Sequence, residues 1–327
     1  MTPAEDRLRR RIAKEGPISV ADYMAEANAF YYADRDPIGA AGDFTTAPEI
    51  SQMFGELVGV WLVDLWLRAG KPNSARFVEL GPGRGTLAQD ALRAMRAAGL
   101  DPPIELVETS PLLRRVQAER LPGARWHDDV SGLPRDGPLL IVANEFFDAL
   151  PVRQYARGGG ELRVTWAGGR FVRDCADEIA EDSPASTALV RTLADRLAVQ
   201  GGAALIVDYG HDGAGVGDTL QAVSGHAYAD PWQAPGTRDL TAHVDFAALA
   251  GAARGEGVAA FGPVAQGDWL EAMGIQLRSA ALAKASPGRT EEIAAARERL
   301  IAPSQMGRLF KVLALAAPAW PEPAGFR

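Results

Sequence analysis

Hydrophobic and polar residues follow two different patterns on either side of residue 75. Before it, apolar residues recur every three or four positions, which is typical of helices. Ser19 caps one of these helical segments and Pro48 begins a longer one, and a polar and aromatic loop over 31–48 joins them. The pattern predicts an N-terminal helical extension over 1–75, with a loop long enough to be a candidate for function.

From Arg76 onward, short apolar strands alternate with helices. The strand segments are RFVEL, PIELVE, ARWH, PLLIVAN and AALIVDYG. This alternation is the pattern of βαβ units and predicts an α/β domain over 76–327 with a doubly wound, mostly parallel sheet. A β-hairpin or small meander followed by a helix is expected as an insertion at about 152–200, because short β-type runs there alternate with glycine-rich turns. After the last of these strands we expect a polar loop up to Thr241. Further helices and the closing strand RLFKVLALA complete the domain.

Composition restricts the class of protein. The formal charge of −8 over 327 residues lacks the basic excess that favours nucleic acid as a partner. The single cysteine, Cys175, leaves no disulfide framework within the chain and favours a reducing compartment, which we predict to be the bacterial cytoplasm.

The apolar stretch 57–67 is interrupted by Asp64 and is too short to cross a bilayer, so no transmembrane segment is expected. Glu5 and Asp6 stand among the early arginines, unlike an acid-poor targeting segment.

The clearest chemistry lies in ELGPGRGTL, directly after the first strand of the α/β region. Gly81 and Gly83 allow positive φ and close approach of a ligand to the backbone, and Gly85 allows tight strand-to-helix packing. The dinucleotide pattern G-x-G-x-x-G fails at its last position, which is Thr86. Glu79 would repel a pyrophosphate, whereas it suits a ligand with an ammonium group and a sulfonium centre. These features favour S-adenosylmethionine over NAD.

Acidic residues also follow the second and third strands of this region. Glu108 stands where a doubly wound fold presents a carboxylate to ribose hydroxyls. The alternative is a helix-start acid that complements the dipole before Pro111. Asp128 and Asp129 stand in the usual adenine-contacting region, or in an exposed turn. We predict Glu108 and Asp129 as cofactor residues.

The fourth strand ends in NEFFDALPVRQY. Ligand crevices in open α/β sheets lie outside the carboxyl ends of the strands. Burying Asn144, Glu145 and Asp148 near one strand end without partners would be costly. We therefore predict that these side chains face the methyl donor, with Asn144 as a further cofactor residue.

Three histidines, His211, His226 and His243, follow the fifth strand. They are expected near the same crevice, where they would orient substrate or move a proton, or they are structural. Their spacing does not match a metal site, so no metal is expected.

Eight motifs stand in order along the chain. They are GDFTTAPEISQMFGELVG, ELGPGRGTL, VETSPLLRRVQ, NEFFDALPVRQY, VDYGH, GDTLQAVSGH, DLTAHVDF and GRLFKVL. Together, over about 10–315, they resemble the MidA-like methyltransferases, relatives of the mitochondrial protein-arginine methyltransferase that helps assemble respiratory complex I. The resemblance implies a class I (Rossmann-like) methyltransferase fold, S-adenosylmethionine as donor and an arginine side chain as acceptor in the characterised branch. Gly81, Gly83 and Glu108 match the family's cofactor positions.

An arginine acceptor would require carboxylates that orient its guanidinium and take its proton, because the group is normally protonated, with a pKa above about 12. Glu145 and Asp148 are predicted for this role, with Asp43 of the N-terminal loop as a third. The implied partner is a protein substrate, with a complex I subunit as candidate. The alternatives are an NAD-dependent dehydrogenase, a noncatalytic assembly protein that retains the cofactor pocket, and a small-molecule methyltransferase. The apolar N-terminal stripe would cover the pocket or form a homodimer interface.

Overall fold

The computed structural model describes residues 1–33, 46–213, 217–225 and 227–326. Its helices are α1 (Pro3–Glu15), α2 (Val20–Ala33), α3 (Ala47–Ile50), α4 (Gln52–Arg68), α5 (Thr86–Ala97), α6 (Pro111–Arg120), α7 (Pro184–Gln200), α8 (Phe246–Gly255), α9 (Gln266–Ala272), α10 (Ile275–Ala285), α11 (Thr290–Ile301) and α12 (Met306–Leu309). Its strands are β1 (Ile18–Ser19), β2 (Arg76–Leu80), β3 (Ile104–Val107), β4 (Arg125–His127), β5 (Leu139–Asn144), β6 (Arg153–Ala156), β7 (Arg163–Ala167), β8 (Arg170–Arg173), β9 (Ile179–Asp182), β10 (Gly202–His211), β11 (Gln221–Ser224), β12 (Ala227–Ala229), β13 (Asp239–Thr241), β14 (Val244–Asp245), β15 (Ala259–Ala265) and β16 (Phe310–Ala316).

The central sheet has the strand order β15-β16-β10-β5-β2-β3-β4. The strands β10, β5, β2, β3 and β4 run parallel, and β16 pairs antiparallel with both β10 and β15. The first strand of the α/β region, β2, therefore lies between β3 and β5, and the order of connection reverses there. This is the doubly wound arrangement that was predicted, and its ligand crevice is expected at the carboxyl ends of these strands.

Both faces of the sheet are buried, which explains the unbroken apolar runs of its strands. Phe77 of β2 packs into a cluster with Trp61 of α4 on one face. The next residue, Val78, packs on the other face with Leu193 of α7 and Phe246 of α8. Neighbouring strand residues point to opposite faces, so β2 holds both helical layers against the sheet.

The predicted hairpin is formed by β7 and β8, and β1 joins it through the pairing of Ile18 with Val164. Its apolar face packs with α1 and α2 in a separate cluster that includes Leu8, Tyr23 and Phe171. The N-terminal helices α1 and α2 thus pack against the inserted strands. The division of the chain into two parts at residue 75 stays a prediction. Helix α4 precedes this boundary but packs in the same hydrophobic cluster as the central sheet.

Two local expectations were wrong. The helix predicted from Pro48 is broken at Ser51, whose backbone is extended and whose hydroxyl caps α4 by accepting from the Met53 amide. A serine hydroxyl competes in this way with continued helix formation. The stretch before Thr241, predicted as a polar loop, contains the small sheet β12-β11-β13.

None of the described helices has the length and apolar character needed to span a membrane.

Candidate active site

A cavity of about 630 Å³ lies at the carboxyl ends of β2, β3 and β5 and is lined along one side by α2. Six residues predicted from the sequence line it: Glu79, Gly81, Gly83, Glu108, Asn144 and Glu145. The cavity therefore joins the glycine turn, the end of the second strand of the α/β region and the end of its fourth strand. This is the crevice that the reversal of strand order predicts.

The glycine turn brings the main chain to the cavity wall. Gly81, Gly83 and Gly85 have φ values of 59°, 54° and 77°, in the left-handed region that favours glycine. A Cβ atom on Gly81 would lie 2.6 Å from Cδ2 of Phe146, so a side chain there would collide with the loop after β5. The turn thus leaves its backbone accessible to a ligand, and α5 begins directly after it.

Glu79 is buried against this turn, with 3% of its surface exposed. Its Oε2 atom has no hydrogen-bond partner among the described residues, although the carboxylate interacts with the Ala88 amide. Burial raises the pKa of Glu79 to about 8. A buried carboxylate oxygen that lines a cavity without a partner fits the ammonium group of an amino-acid moiety.

Asn144 provides a second unpartnered oxygen in the same wall. Its Oδ1 has no hydrogen-bond partner in the described part of the chain, while its Nδ2 donates to Glu145 Oε1 at 3.2 Å. Together with Glu79, it gives the cavity two buried acceptors that require a donor from a ligand or from water.

Glu108 is held from two sides. Its Oε1 accepts from the Ser110 amide at 2.8 Å, and its Oε2 accepts from Gln117 Nε2 at 3.2 Å. Ser110 caps α6, so the structural role at a helix start is real. The carboxylate also lines the cavity, and each of its oxygens has remaining capacity to accept. The position therefore suits a ribose diol as well.

The structure places Asp129 away from the cavity wall. Asp129 is exposed and accepts from the Ser131 amide at 2.7 Å. Hydrogen bonding with Ser131 lowers the pKa of Asp129. The neighbouring Asp128 lines the cavity instead and pairs with Arg114 at 2.6 Å. A direct contact of Asp129 with the cofactor does not agree with this placement, because the carboxylate caps the short helical turn at 130–132 instead.

Two further acids lie beside the cavity. Glu145 has a left-handed φ of 50° and accepts from the Ala47 amide at 3.1 Å. Burial raises the pKa of Glu145 to about 8, and the nearby charge of Asp148 adds to the rise. Asp148 itself is buried behind the lining, where its carboxylate interacts with the Tyr209 hydroxyl. Burial raises its pKa as well. The two acids thus form a layer, with Glu145 at the wall and Asp148 behind it.

Asp208 holds this layer in place. Its Oδ2 accepts from the backbone amides of Phe146, Phe147 and Asp148 at 3.1, 2.9 and 3.2 Å. It is fully buried beneath the loop. Burial, followed by the charges of Asp148 and Glu145, raises its pKa.

The wall opposite the glycine turn comes from α2. Asn28 Nδ2 donates to the Leu240 carbonyl at 2.8 Å, and the Leu240 amide donates to Asn28 Oδ1 at 3.1 Å. Tyr32, nearby on α2, donates to Asp239 at 2.7 Å. Both Asn28 and Tyr32 line the cavity. Sequence reasoning missed them because their partners are distant along the chain.

The remaining candidates lie elsewhere or outside the described residues. His211 and His243 line a separate cavity of about 30 Å³ with Glu181 and Asp245, so they do not face the crevice as predicted. Burial lowers the pKa of His243. Asp43 and His226 lie outside the described residues.

Sequence comparison decides the family. The profile of the family described as "Putative S-adenosyl-L-methionine-dependent methyltransferase" matches residues 57–171 and 169–264. The chain belongs to this methyltransferase family.

This methyltransferase is similar to two curated relatives over most of its length. It is 38% identical over 361 residues to "Protein arginine methyltransferase NDUFAF7, mitochondrial" of Danio rerio, covering 93% of this chain and 84% of the relative. It is 36% identical over 371 residues to the Homo sapiens protein of the same name, covering 96% and 83%. These relatives are mitochondrial proteins, so the expectation of a bacterial cytoplasmic protein is wrong.

A solved structure supports the cofactor. A protein from Burkholderia thailandensis bound to S-adenosyl-homocysteine is 26% identical, with a TM-score of 0.85 over 98% of this chain and 93% of that one. A native structure from the same organism has 29% identity and a TM-score of 0.83, covering 98% and 95%. The protein is an S-adenosylmethionine-dependent methyltransferase with a Rossmann-like fold, as the sequence predicted.

Proposed function

We propose that this methyltransferase methylates an arginine side chain of a protein. The observation that carries the proposal is the layer of buried acids, Glu145 and Asp148, beside the glycine turn that suits the methyl donor. A buried acidic layer favours a cationic acceptor, and a planar guanidinium pairs well with carboxylates. The names of the curated relatives, protein arginine methyltransferases, support the same acceptor.

The residues around the cavity suggest how the donor is held. Glu79 would accept from its ammonium group, the backbone of Gly81 and Gly83 would lie along it, and Glu108 would accept from its ribose hydroxyls. Asn144 supplies one more acceptor at the same wall. S-adenosylmethionine supplies an electrophilic methyl group on a sulfonium centre, so neither a metal nor a covalent enzyme intermediate is required.

The chemical task of the protein is to orient the acceptor and remove a proton. One guanidinium nitrogen forms a bond to the methyl carbon as the carbon–sulfur bond breaks, and the bonding pair stays on sulfur. The nitrogen loses a proton, which Glu145 takes. A carboxylate whose pKa is raised to about 8 is suited to this transfer near neutral pH. Asp43, which lies outside the described residues, is proposed as a further contact of the guanidinium. Asp148 is proposed to support Glu145 from the layer behind the cavity wall.

We propose that the methyl acceptor is a protein. A respiratory complex I subunit is the first candidate, because the sequence motifs resemble those of the family that includes the complex I assembly methyltransferase. A homodimer formed through the apolar N-terminal stripe stays a prediction. The individual contacts of the cofactor residues with S-adenosylmethionine also stay predictions.

The test uses methyl-labelled S-adenosylmethionine, the purified protein and a mitochondrial extract, with mass spectrometry to locate the modified side chain. We expect label on arginine. Glu145→Gln should lower turnover about 100-fold or more, while the Kd for S-adenosyl-homocysteine stays within about threefold. Glu119→Gln, an exposed carboxylate on α6, is the matched control and should retain turnover.

Three outcomes would contradict the proposal. Label confined to small molecules would favour a metabolite methyltransferase. Binding of the cofactor without methylation of any acceptor would favour the noncatalytic alternative. Full turnover of Glu145→Gln and Asp148→Asn, singly and together, would remove both acids from the chemistry.

A further inference from the structure

Gln117 connects three parts of the cofactor region although it is fully buried in α6. Its Nε2 donates to the Gly83 carbonyl at 2.7 Å and to Glu108 Oε2 at 3.2 Å. Its Oε1 accepts from Trp126 Nε1 at 2.7 Å. The two Nε2 hydrogens and the carbonyl oxygen all have partners, so the side-chain amide has one defined orientation.

These contacts restrain the two elements that the donor would meet. The Gly83 carbonyl belongs to the turn in which Gly81, Gly83 and Gly85 have positive φ, and the hydrogen bond from Gln117 holds this carbonyl in place. Glu108 already accepts from the Ser110 amide on Oε1, so the bond from Gln117 fixes its second oxygen. With both oxygens restrained, the carboxylate has a set direction toward the cavity.

We infer that Gln117 is a positioning residue that aligns Glu108 with the ribose hydroxyls of the donor and thereby determines the preference of the protein for a ribose over a deoxyribose ligand. The family's methyl donor is the ligand concerned, and the contact of Glu108 with ribose is taken from the proposed function. The inference concerns binding alone and makes no use of the methyl acceptor.

Substitution by glutamate isolates this role. Gln117→Glu keeps the shape of the side chain and the acceptor for Trp126 but removes both donors. It also places a carboxylate oxygen against the Gly83 carbonyl and Glu108. Glu108 then loses one restraint and gains a repulsive neighbour, so its alignment should be lost.

The experiment measures Kd by calorimetry for S-adenosyl-homocysteine and for its 2′-deoxyribose analogue, without any acceptor. The unmodified protein should prefer the ribose form. In Gln117→Glu, the Kd for S-adenosyl-homocysteine should rise at least about tenfold, while that for the deoxy analogue should rise less. The preference for the ribose ligand should fall to the level measured for Glu108→Gln. Combining Gln117→Glu with Glu108→Gln should cause no further loss of this preference.

Gln89→Glu is the matched control, because it makes the same change of charge at an exposed position on α5 and should leave both Kd values unchanged. If Gln117→Glu does not fold, Gln117→Met removes the donors without adding charge and should give the same loss of preference. An equal rise in both Kd values, or an unchanged preference, would overturn the inference. Failure of arginine methylation would leave these binding results unaffected, so the two proposals fail separately.

Discussion

The Asp208 carboxylate lies 2.9 Å from the backbone nitrogen of Phe147, and the same oxygen accepts from the amides on either side. Its other oxygen accepts from the Tyr209 amide at 3.0 Å. One buried side chain therefore satisfies four backbone donors and fixes the loop that carries Glu145. The end of β10 thus determines the geometry of the loop after β5.

Asp208→Asn should weaken this arrangement. An amide offers one accepting oxygen in place of two, and its NH₂ group would face the Tyr209 amide. We expect the free energy of unfolding to fall by about 1–3 kcal/mol and turnover to fall more than about tenfold. Thermal unfolding and methyl-transfer rates measure the two effects. Asp245→Asn, at the cap of α8, is the isosteric control and should change neither by much; normal turnover in Asp208→Asn would contradict the assigned role.

Binding of the cofactor should release a proton near pH 7. Because burial raises the pKa of Glu79 to about 8, the carboxyl is mostly protonated in the free protein at that pH. An ammonium group beside it favours the ionised form and lowers the pKa, so the proton leaves on binding. Calorimetry with S-adenosyl-homocysteine in buffers of different ionisation enthalpy measures this release. Glu79→Gln should bind without it, and proton uptake by the unmodified protein would contradict the prediction.

The pH profile of turnover should report Glu145. The pKa of this group is raised to about 8, so raising the pH through that value ionises it and produces the form that takes a proton. We expect kcat/KM for the acceptor, measured with the cofactor site saturated so that Glu79 stays ionised, to increase with pH on a limb centred near 8. Glu145→Asp should retain a limb at reduced rate, and Glu145→Gln should lose it. An unchanged limb in Glu145→Gln would assign it to another group.

Gly81→Ala should impair cofactor binding by more than its backbone strain alone. The added Cβ would lie 2.6 Å from the Phe146 ring, in addition to the cost of a φ of 59°. Gly99→Ala is a matched control, since Gly99 has a φ of 83° and no described atom lies within 4 Å of an added Cβ. Both variants should lose about 1 kcal/mol of stability from strain. Only Gly81→Ala should raise the Kd for S-adenosyl-homocysteine, by about tenfold or more; equal Kd values would contradict a steric role.

The sequence predicted the sheet and the glycine turn because their signals are local. A strand buried on both faces, such as β5, leaves an unbroken apolar run, and the glycines of the turn are adjacent to it. The choice between Asp128 and Asp129 had no such signal, because a turn after a short strand has no periodicity that fixes which residue lines the cavity. Gln117 was missed since a glutamine on a helix is usually exposed. Its spacing of four from the buried Leu113 was the available sign that it shares the inner face.

The paired hydrogen bonds between Asn28 and Leu240 join residues 212 positions apart. During synthesis on the ribosome, the glycine turn is therefore made long before the opposite wall of the cavity can be completed. A nascent chain would have to emerge past Leu240 before α2 could take its place, so the complete pocket can form only after residue 240 of the 327 has been made. A chain released before Leu240 would lack the two hydrogen bonds that join Asn28 of α2 to this residue.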